Sequence, residues 1–351
     1  MESMDITEAI MAKMQNKRQV LCVLAAIVCC MSCFVGCGKG SSQSSESESS
    51  KTEQSMESAE NSESEQLKGG KILWGGHVYE YNDHLSNYIF IGVDKEELVD
   101  TNVGSANAGQ ADALFLLSWD RVTGDVTVIT IPRDTITTIN TYGRDGTDMG
   151  PVEQQINLAY GFGDGKHKSC QFVKDAVSNL FYRIPIQGYC AVTLDALEEM
   201  GTILGDITVT VPNDSLVKKA PEMTVGAEVV IGAENLELFV RYRDIEVTNS
   251  ALYRIERQHA FMKGCYENVL ARFDKNPGIV ADLYTGLSTY MVTNIGNDQF
   301  FKIMEGLAEG GNMTQWTVPG EGVATDTFDE YHVDEDALFD MVLKSFFEED
   351  N

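Results

Sequence analysis

Three short apolar runs with charged ends constrain the fold of this chain more than any other feature. They cover residues 87–93 (NYIFIGV), 113–119 (ALFLLSW) and 125–131 (DVTVITI). Runs of this length, rich in β-branched and aromatic residues and separated by turn residues such as those of 120–124, predict β-strands. In an antiparallel meander, the end of the first strand, the start of the second and the end of the third would share one edge of the sheet.

That shared edge is predicted to carry four charged side chains. Asp94 follows the first strand, Asp112 precedes the second, and Arg133 and Asp134 follow the third. The loop that joins the first two strands is long and rich in small residues, which is typical of functional loops. Two carboxylates suit a divalent cation such as Mg²⁺ (or Mn²⁺), which leaves further coordination positions for water and phosphate oxygens.

A second feature is a cluster of arginines in a strongly acidic chain of 351 residues. The chain has 54 Asp and Glu residues against 26 Lys and Arg, a net charge of −28 that argues against nucleic-acid binding. The planar guanidinium group of arginine recognises phosphate or carboxylate groups, so the cluster predicts an anion site. Its four members lie within seventeen residues: Arg241, Arg243, Arg254 and Arg257.

The local pattern predicts how these arginines are presented. Residues 240–244 are predicted to be extended, which would point Arg241 and Arg243 to the same face. Residues 251–269 are predicted to form a helix, on which Arg254 and Gln258 stack one turn apart.

The remaining body, residues 70–351, is predicted to be one domain. Strands mixed with helices indicate a layered α/β fold. Further helices are predicted at 169–182, 194–204, 233–239, 297–309 and 335–347, with a further strand at 206–211.

The N-terminus predicts export. An apolar run at 20–36 follows Lys13, Lys17 and Arg18, as in a secretion signal or membrane anchor. The small residues before Cys37 resemble a lipobox, which makes residues 1–37 a signal peptide with Cys37 as the lipidated residue. The alternative is an uncleaved single-pass transmembrane helix. Either puts the body on the extracellular face of the cytoplasmic membrane.

Residues 38–69 are rich in Ser and Glu and predict a disordered tether. Beyond the N-terminal region the cysteines are Cys170, Cys190 and Cys265. A Cys170–Cys190 disulfide and small buried thiols are both open.

The chain resembles the LytR-CpsA-Psr family in ordered blocks between residues 87 and 347. The blocks are NYIFIGVD, QADALFLLSWD, VTVITIPRDT, QQINLAYGFG, FVRYRD with RIERQ, and WTVPGEGV. The resemblance implies a three-layer α-β-α sandwich with a central mixed, largely antiparallel sheet. It implies transfer of a teichoic-acid or capsular glycopolymer from an undecaprenyl-pyrophosphate carrier to peptidoglycan.

The resemblance also implies roles for individual residues. Asp94 and Asp112 match the metal-binding aspartates. The residues that match pyrophosphate binders are Arg133, Arg241, Arg243, Arg254 and Gln258. The catalytic set becomes Asp94, Asp112, Arg133, Asp134 and Arg241, with the hydroxyl proton going to Asp134 or to a metal-bound carboxylate.

Two positions depart from the family pattern. Gln110 replaces a phosphate-facing arginine, and Ala251 replaces an acid. Because of this, two alternatives to the transferase stay open: a non-catalytic binder of polyprenyl pyrophosphate, and a polyprenyl pyrophosphatase.

Overall fold

The computed structural model describes residues 65–67, 71–232, 234–244, 247, 250–273, 279–296, 299, 313–325 and 328–350. The apolar N-terminal run, Cys37 and most of the tether lie outside these residues, as does nearly all of the helix expected at 297–309. Within the described ranges, no helix is both long and apolar enough to cross a membrane.

The strands are, in chain order, β1 (Glu65–Leu67), β2 (Lys71–Trp74), β3 (His77–Tyr81), β4 (Leu85–Val93), β5 (Ala111–Asp120), β6 (Val126–Ile131), β7 (Ile136–Tyr142), β8 (Asp148–Gln155), β9 (Gly188–Val192), β10 (Ile207–Thr210), β11 (Glu228–Ile231), β12 (Met291–Thr293), β13 (Met313–Thr317), β14 (Gly320–Ala324), β15 (Asp329–Val333) and β16 (Phe347–Glu349). The helices are α1 (Leu158–Gly161), α2 (His167–Leu180), α3 (Asp195–Leu204), α4 (Leu236–Arg241), α5 (Ser250–Phe273), α6 (Ile279–Leu287) and α7 (Glu335–Phe346), with 3₁₀ turns at Asp214–Leu216 and Ser288–Tyr290.

The expected meander forms the middle of a six-stranded sheet with the order β12-β9-β4-β5-β6-β13. Strands β4, β5 and β6 are antiparallel to one another, and β12 is antiparallel to β9. Strand β9 runs parallel to β4, and β13 runs parallel to β6. The sheet is therefore mixed and largely antiparallel, as predicted.

Helices cover both faces of this sheet, which explains why its central strands are apolar on both sides. Tyr88 and Phe90 of β4 face a core built with α3, α5 and α6. Ile89 and Ile91 face a second core built with α2 and α7. The three-layer α-β-α arrangement is confirmed.

The domain begins slightly before the predicted boundary at residue 70. Glu65–Leu67, which were assigned to the tether, form β1 and pair with β2. Strand β16 pairs with β3 and brings the C-terminal end of the chain back to this small sheet.

The cysteines of the domain are separate buried thiols. Cys170 belongs to the core on the α2 side of the sheet, whereas Cys190 belongs to the core on the α5 side. Because the sheet lies between the two side chains, they do not form the disulfide that the sequence left open.

A partly buried histidine connects α5 to the central sheet. Nε2 of His259 lies 2.7 Å from Oγ1 of Thr130 on β6. Burial lowers the pKa of His259 to about 4, below the value of about 6.5 expected in the unfolded chain. The unfolded chain therefore binds more protons than the folded one between these two pH values.

We expect this histidine to cause a loss of stability in acid. The contribution is present above about pH 6.5 and is lost as the pH falls towards about 4, on the order of 2 kcal/mol in unfolding free energy. His259→Gln keeps a side-chain amide for Thr130 but does not titrate. Urea unfolding at pH 7 and pH 4.5 should show a smaller acid loss in His259→Gln. Equal losses in the two proteins would contradict the assignment.

Candidate active site

Asp94 is held in place by the backbone of the long loop between β4 and β5. The Gln110 N–H donates to Oδ1 of Asp94 at 2.6 Å, and the Asp94 N–H donates to the Gln110 carbonyl at 3.1 Å. Gly109 makes this close approach possible, since its φ is +97° and an added Cβ would lie 2.5 Å from the carboxylate. The loop thus fixes the first predicted metal-binding aspartate.

Asp112 and Arg133 form a buried ion pair beside it. Nη1 of Arg133 lies 2.6 Å from Oδ1 of Asp112, and the two side chains are 10% and 2% exposed. Nε of Arg133 lies 3.1 Å from Oδ1 of Asp134, also buried. One guanidinium therefore joins two carboxylates at the sheet edge, and the predicted convergence of these side chains is present in the structure.

The pKa of Asp112 reports its surroundings. Burial raises the pKa of this carboxyl above its usual value, Arg133 lowers it, Asp94 raises it and Arg254 lowers it. Asp94 and Arg254 therefore lie within electrostatic reach of Asp112. A buried carboxylate beside a second carboxylate is stabilised by a nearby cation.

Asp94 and Asp112 are candidate ligands for a divalent cation. Oδ1 of Asp94 accepts a hydrogen bond from the Gln110 N–H, and Oδ1 of Asp112 accepts one from Nη1 of Arg133. The described residues contain no group of three or more His, Cys, Asp or Glu side chains placed to hold a metal ion. Mg²⁺ takes one or two carboxylates when phosphate and water complete its shell, so a pair of aspartates is compatible with it.

Helix α5 supplies the next two predicted side chains. Arg254 and Gln258 lie one turn apart and are both buried. Arg254 acts electrostatically on Asp112, as expected of a residue at the site. Gln258 donates from Nε2 to the Val240 carbonyl at 3.1 Å, so it holds the segment that carries the other arginines.

Arg241 and Arg243 depart from prediction. Helix α4 continues through Arg241, so residues 240–241 are helical rather than extended. Arg241 pairs with Glu237 one turn earlier, while Arg243 donates to Oγ of Ser250 at 2.9 Å and pairs with Asp329. The expectation that the two arginines share a strand face is wrong.

The reason is packing. Leu236, Phe239 and Val240 are buried at helical spacing, which extends α4 through the first arginine. Arg241 lines a cleft of about 370 Å³ with Glu96. Arg243 instead turns towards β15, whose Tyr331 N–H donates to the Asp134 carbonyl at 2.8 Å.

Arg257 is the residue whose role the sequence did not indicate. Its guanidinium donates to the Phe239 carbonyl at 2.7 Å, to the Tyr242 carbonyl and to Oγ of Ser215. The side chain is 1% exposed, and burial, with Arg254 nearby, lowers its pKa to about 10. It connects three chain segments.

Asn157 is a second such residue. Its N–H donates to the Arg133 carbonyl at 3.2 Å, and its carbonyl accepts from the Ala111 N–H at 3.0 Å. Its Nδ2 donates to Oε1 of Gln110 at 3.2 Å. Asn157 thus connects the segments that carry Asp112 and Arg133. In the sequence, the signal for this role is a polar residue between two apolar ones, Ile156 and Leu158.

Fold and site together define a three-layer α/β protein with a carboxylate and arginine site at the edge of its central sheet. The LytR_cpsA_psr family model matches residues 40–345. The chain belongs to this family.

Known proteins similar to the chain cover most of its length. A protein of Bacillus licheniformis named polyisoprenyl-teichoic acid–peptidoglycan teichoic acid transferase TagU is 24% identical over 263 residues, 73% of this chain and 75% of that protein. A solved structure of protein gbs0355 from Streptococcus agalactiae has a TM-score of 0.56 at 19% identity and covers 76% of this chain and 91% of its own. The structure described as TagT bound to LI-WTA has a TM-score of 0.54 at 16% identity, covering 75% and 89%. The two structures support the fold.

Two arginines of the cluster should contribute very differently to the free energy of unfolding. Arg257→Lys keeps the charge, but a lysine cannot reach all the acceptors of Arg257 at once, so we expect a loss of about 3 kcal/mol in unfolding free energy. Arg241→Ala breaks only a partly exposed pair with Glu237 and should cost less than about 1 kcal/mol. Chemical denaturation of both variants measures this. Equal costs would contradict a structural role for Arg257.

Proposed function

We propose that the protein transfers an anionic wall glycopolymer from a polyprenyl-pyrophosphate carrier to peptidoglycan. The observation that carries the proposal is the buried Asp112–Arg133 pair, with Asp94, Asp134 and Arg254 around it. The transferase name of the Bacillus licheniformis relative and the wall-teichoic-acid complex of TagT support this substrate class.

Arg133 and Arg254 would bind the pyrophosphate and stabilise charge as it develops on the phosphoryl oxygens. Arg241 would join them by exchanging its partly exposed partner Glu237 for phosphate, which costs little. Arg243 would approach from the Asp134 side, and Gln258 would hold the segment that carries both arginines.

The proposed reaction is a single phosphoryl transfer. An acceptor hydroxyl oxygen forms a bond to the phosphorus that bears the glycan, and the bond from that phosphorus to the bridging oxygen breaks. The lipid leaves as its monophosphate, and the product is a phosphodiester. The hydroxyl proton would pass to a carboxylate, either Asp134 or one of the two proposed metal-binding aspartates.

Asp94 and Asp112 would hold Mg²⁺ (or Mn²⁺), which neutralises charge on the phosphate oxygens when bound. The carrier is proposed to be undecaprenyl pyrophosphate. The reaction is proposed to occur outside the cytoplasmic membrane, with the domain anchored through a lipidated Cys37 or through a transmembrane helix.

The residue that favours another function is Gln110, because the family resemblance implies an arginine at this position. A site with one cation fewer could bind the lipid without turnover, or could use water in place of the sugar hydroxyl. The assay below distinguishes these outcomes.

Asp112→Asn should abolish transfer, with a loss of at least about 100-fold, because it removes the buried charge opposite Arg133 and one of the two cation ligands. The assay supplies a lipid-pyrophosphate glycan and a peptidoglycan oligomer, with and without Mg²⁺, and detects the covalent product by mass spectrometry. Asn keeps the volume of Asp, and circular dichroism checks that the variant folds. Tight lipid binding without product in the wild-type protein would favour the binder, and release of lipid phosphate without acceptor would favour the pyrophosphatase.

Gln110→Arg tests the departure from the family pattern. An added guanidinium beside Asp94 should raise the transfer rate about tenfold, which corresponds to about 1.4 kcal/mol of barrier. Gln110→Ala is the control, because it removes the contact with Asn157 without adding charge. A rate for Gln110→Arg no higher than that of Gln110→Ala would contradict the account of this position.

A further inference from the structure

We propose that a cleft beside the segment that carries Arg241 and Arg243 binds the neutral N-acetylated glycan of the acceptor; the inference rests on the proposed function. The cleft has a volume of about 490 Å³, within the range of about 300–1,000 Å³ typical of ligand pockets. It lies between the segment that follows β10, the residues that follow α4, and the first turns of α5.

The walls of the cleft are held together by hydrogen bonds. Arg257 reaches the carbonyl of Tyr242 on one wall and Oγ of Ser215 on another. Asn213 donates from Nδ2 to the Tyr253 carbonyl at 2.9 Å and to Glu256 at 2.7 Å. A site whose walls are fixed before binding loses less conformational entropy when a ligand enters.

Arg243 connects the cleft to the active site. It lines the cleft and also pairs with Asp329 at the start of β15. Two residues further along β15, the Tyr331 N–H donates to the Asp134 carbonyl at 2.8 Å. A glycan in the cleft would therefore contact the same arginine that is linked, through β15, to the sheet edge.

The side chains of the cleft suit a sugar. Tyr242 and Tyr253 supply aromatic rings, and Val225 and Val247 are 57% and 40% exposed. Rings and exposed methyl groups pack against the C–H faces and acetamido methyl groups of a sugar. Asp214 supplies carboxylate oxygens, which accept hydrogen bonds from hydroxyl groups.

The charges of the cleft balance. Its charged lining residues are Asp214, Asp244, Lys218, Arg243 and Arg257. Lys218 is paired with Asp244 at 3.1 Å, and Arg243 is paired with Asp329. With three cations against three carboxylates, Asp329 included, a polymer that carries phosphates gains no net attraction from the cleft, whereas a neutral chain of N-acetylated sugars needs no counter-charge.

The test uses the full chain in detergent and the neutral tetramer of N-acetylglucosamine as the probe. Calorimetry should detect binding to the wild-type protein without any lipid donor. Tyr253→Ala should weaken binding at least about tenfold, whereas Tyr253→Phe should bind normally because it keeps the ring. Val225→Glu, which crowds the opposite wall from an exposed position, should also weaken binding. Val122→Ala is the matched control, an exposed valine in the β5–β6 turn.

In the transfer assay, Tyr253→Ala should raise the KM for the acceptor about tenfold and leave the KM for the lipid donor unchanged. Wild-type affinity for the tetramer in both Tyr253→Ala and Val225→Glu would overturn the proposal. Displacement of the tetramer by inorganic pyrophosphate would also overturn it, because the cleft would then belong to the donor. Binding of the tetramer without any transfer by the wild-type protein would support the cleft while refuting the proposed function.

Discussion

The buried carboxylate of Asp112 is the group on which the arrangement of the site depends. An ionised carboxylate at this depth is costly unless it is paired and hydrogen-bonded. Arg133 compensates at 2.6 Å, while Asp94 adds a second negative charge nearby. Asn157 holds the two segments that bring this pair together. The result is an edge at which three carboxylates and two arginines lie within electrostatic reach of one another.

Helix α5 stabilises this edge from the outside. Arg254 acts electrostatically on Asp112. Arg257, three residues further along the helix, donates to the backbone carbonyls of Phe239 and Tyr242. Gln258 holds Val240 in the same way. One helix thus supplies charge to the site and fixes the loops around it, which explains why so many polar residues of an α-helix are buried here.

Sequence patterns predicted the features that depend on local chemistry. The meander followed from three apolar runs, and its antiparallel pairing placed Asp94, Asp112 and Arg133 at one edge. The conformation of Arg241 was missed because core packing of α4 overrides a local pattern that looked extended. The role of Arg257 was missed because its acceptors are carbonyls of distant residues, which no sequence spacing reveals. All four arginines look alike in sequence, and only tertiary contacts show that Arg257 holds distant backbone carbonyls.

We propose that a lipid pyrophosphate binds at the edge formed by these carboxylates and arginines. A crystal structure of the protein with a short-chain polyprenyl pyrophosphate and Mg²⁺ would show where it binds. We expect both phosphates between Arg133 and Arg254, with the cation on Asp94 and Asp112. Phosphates seated away from this edge, with the Asp112–Arg133 pair unchanged, would refute the proposal.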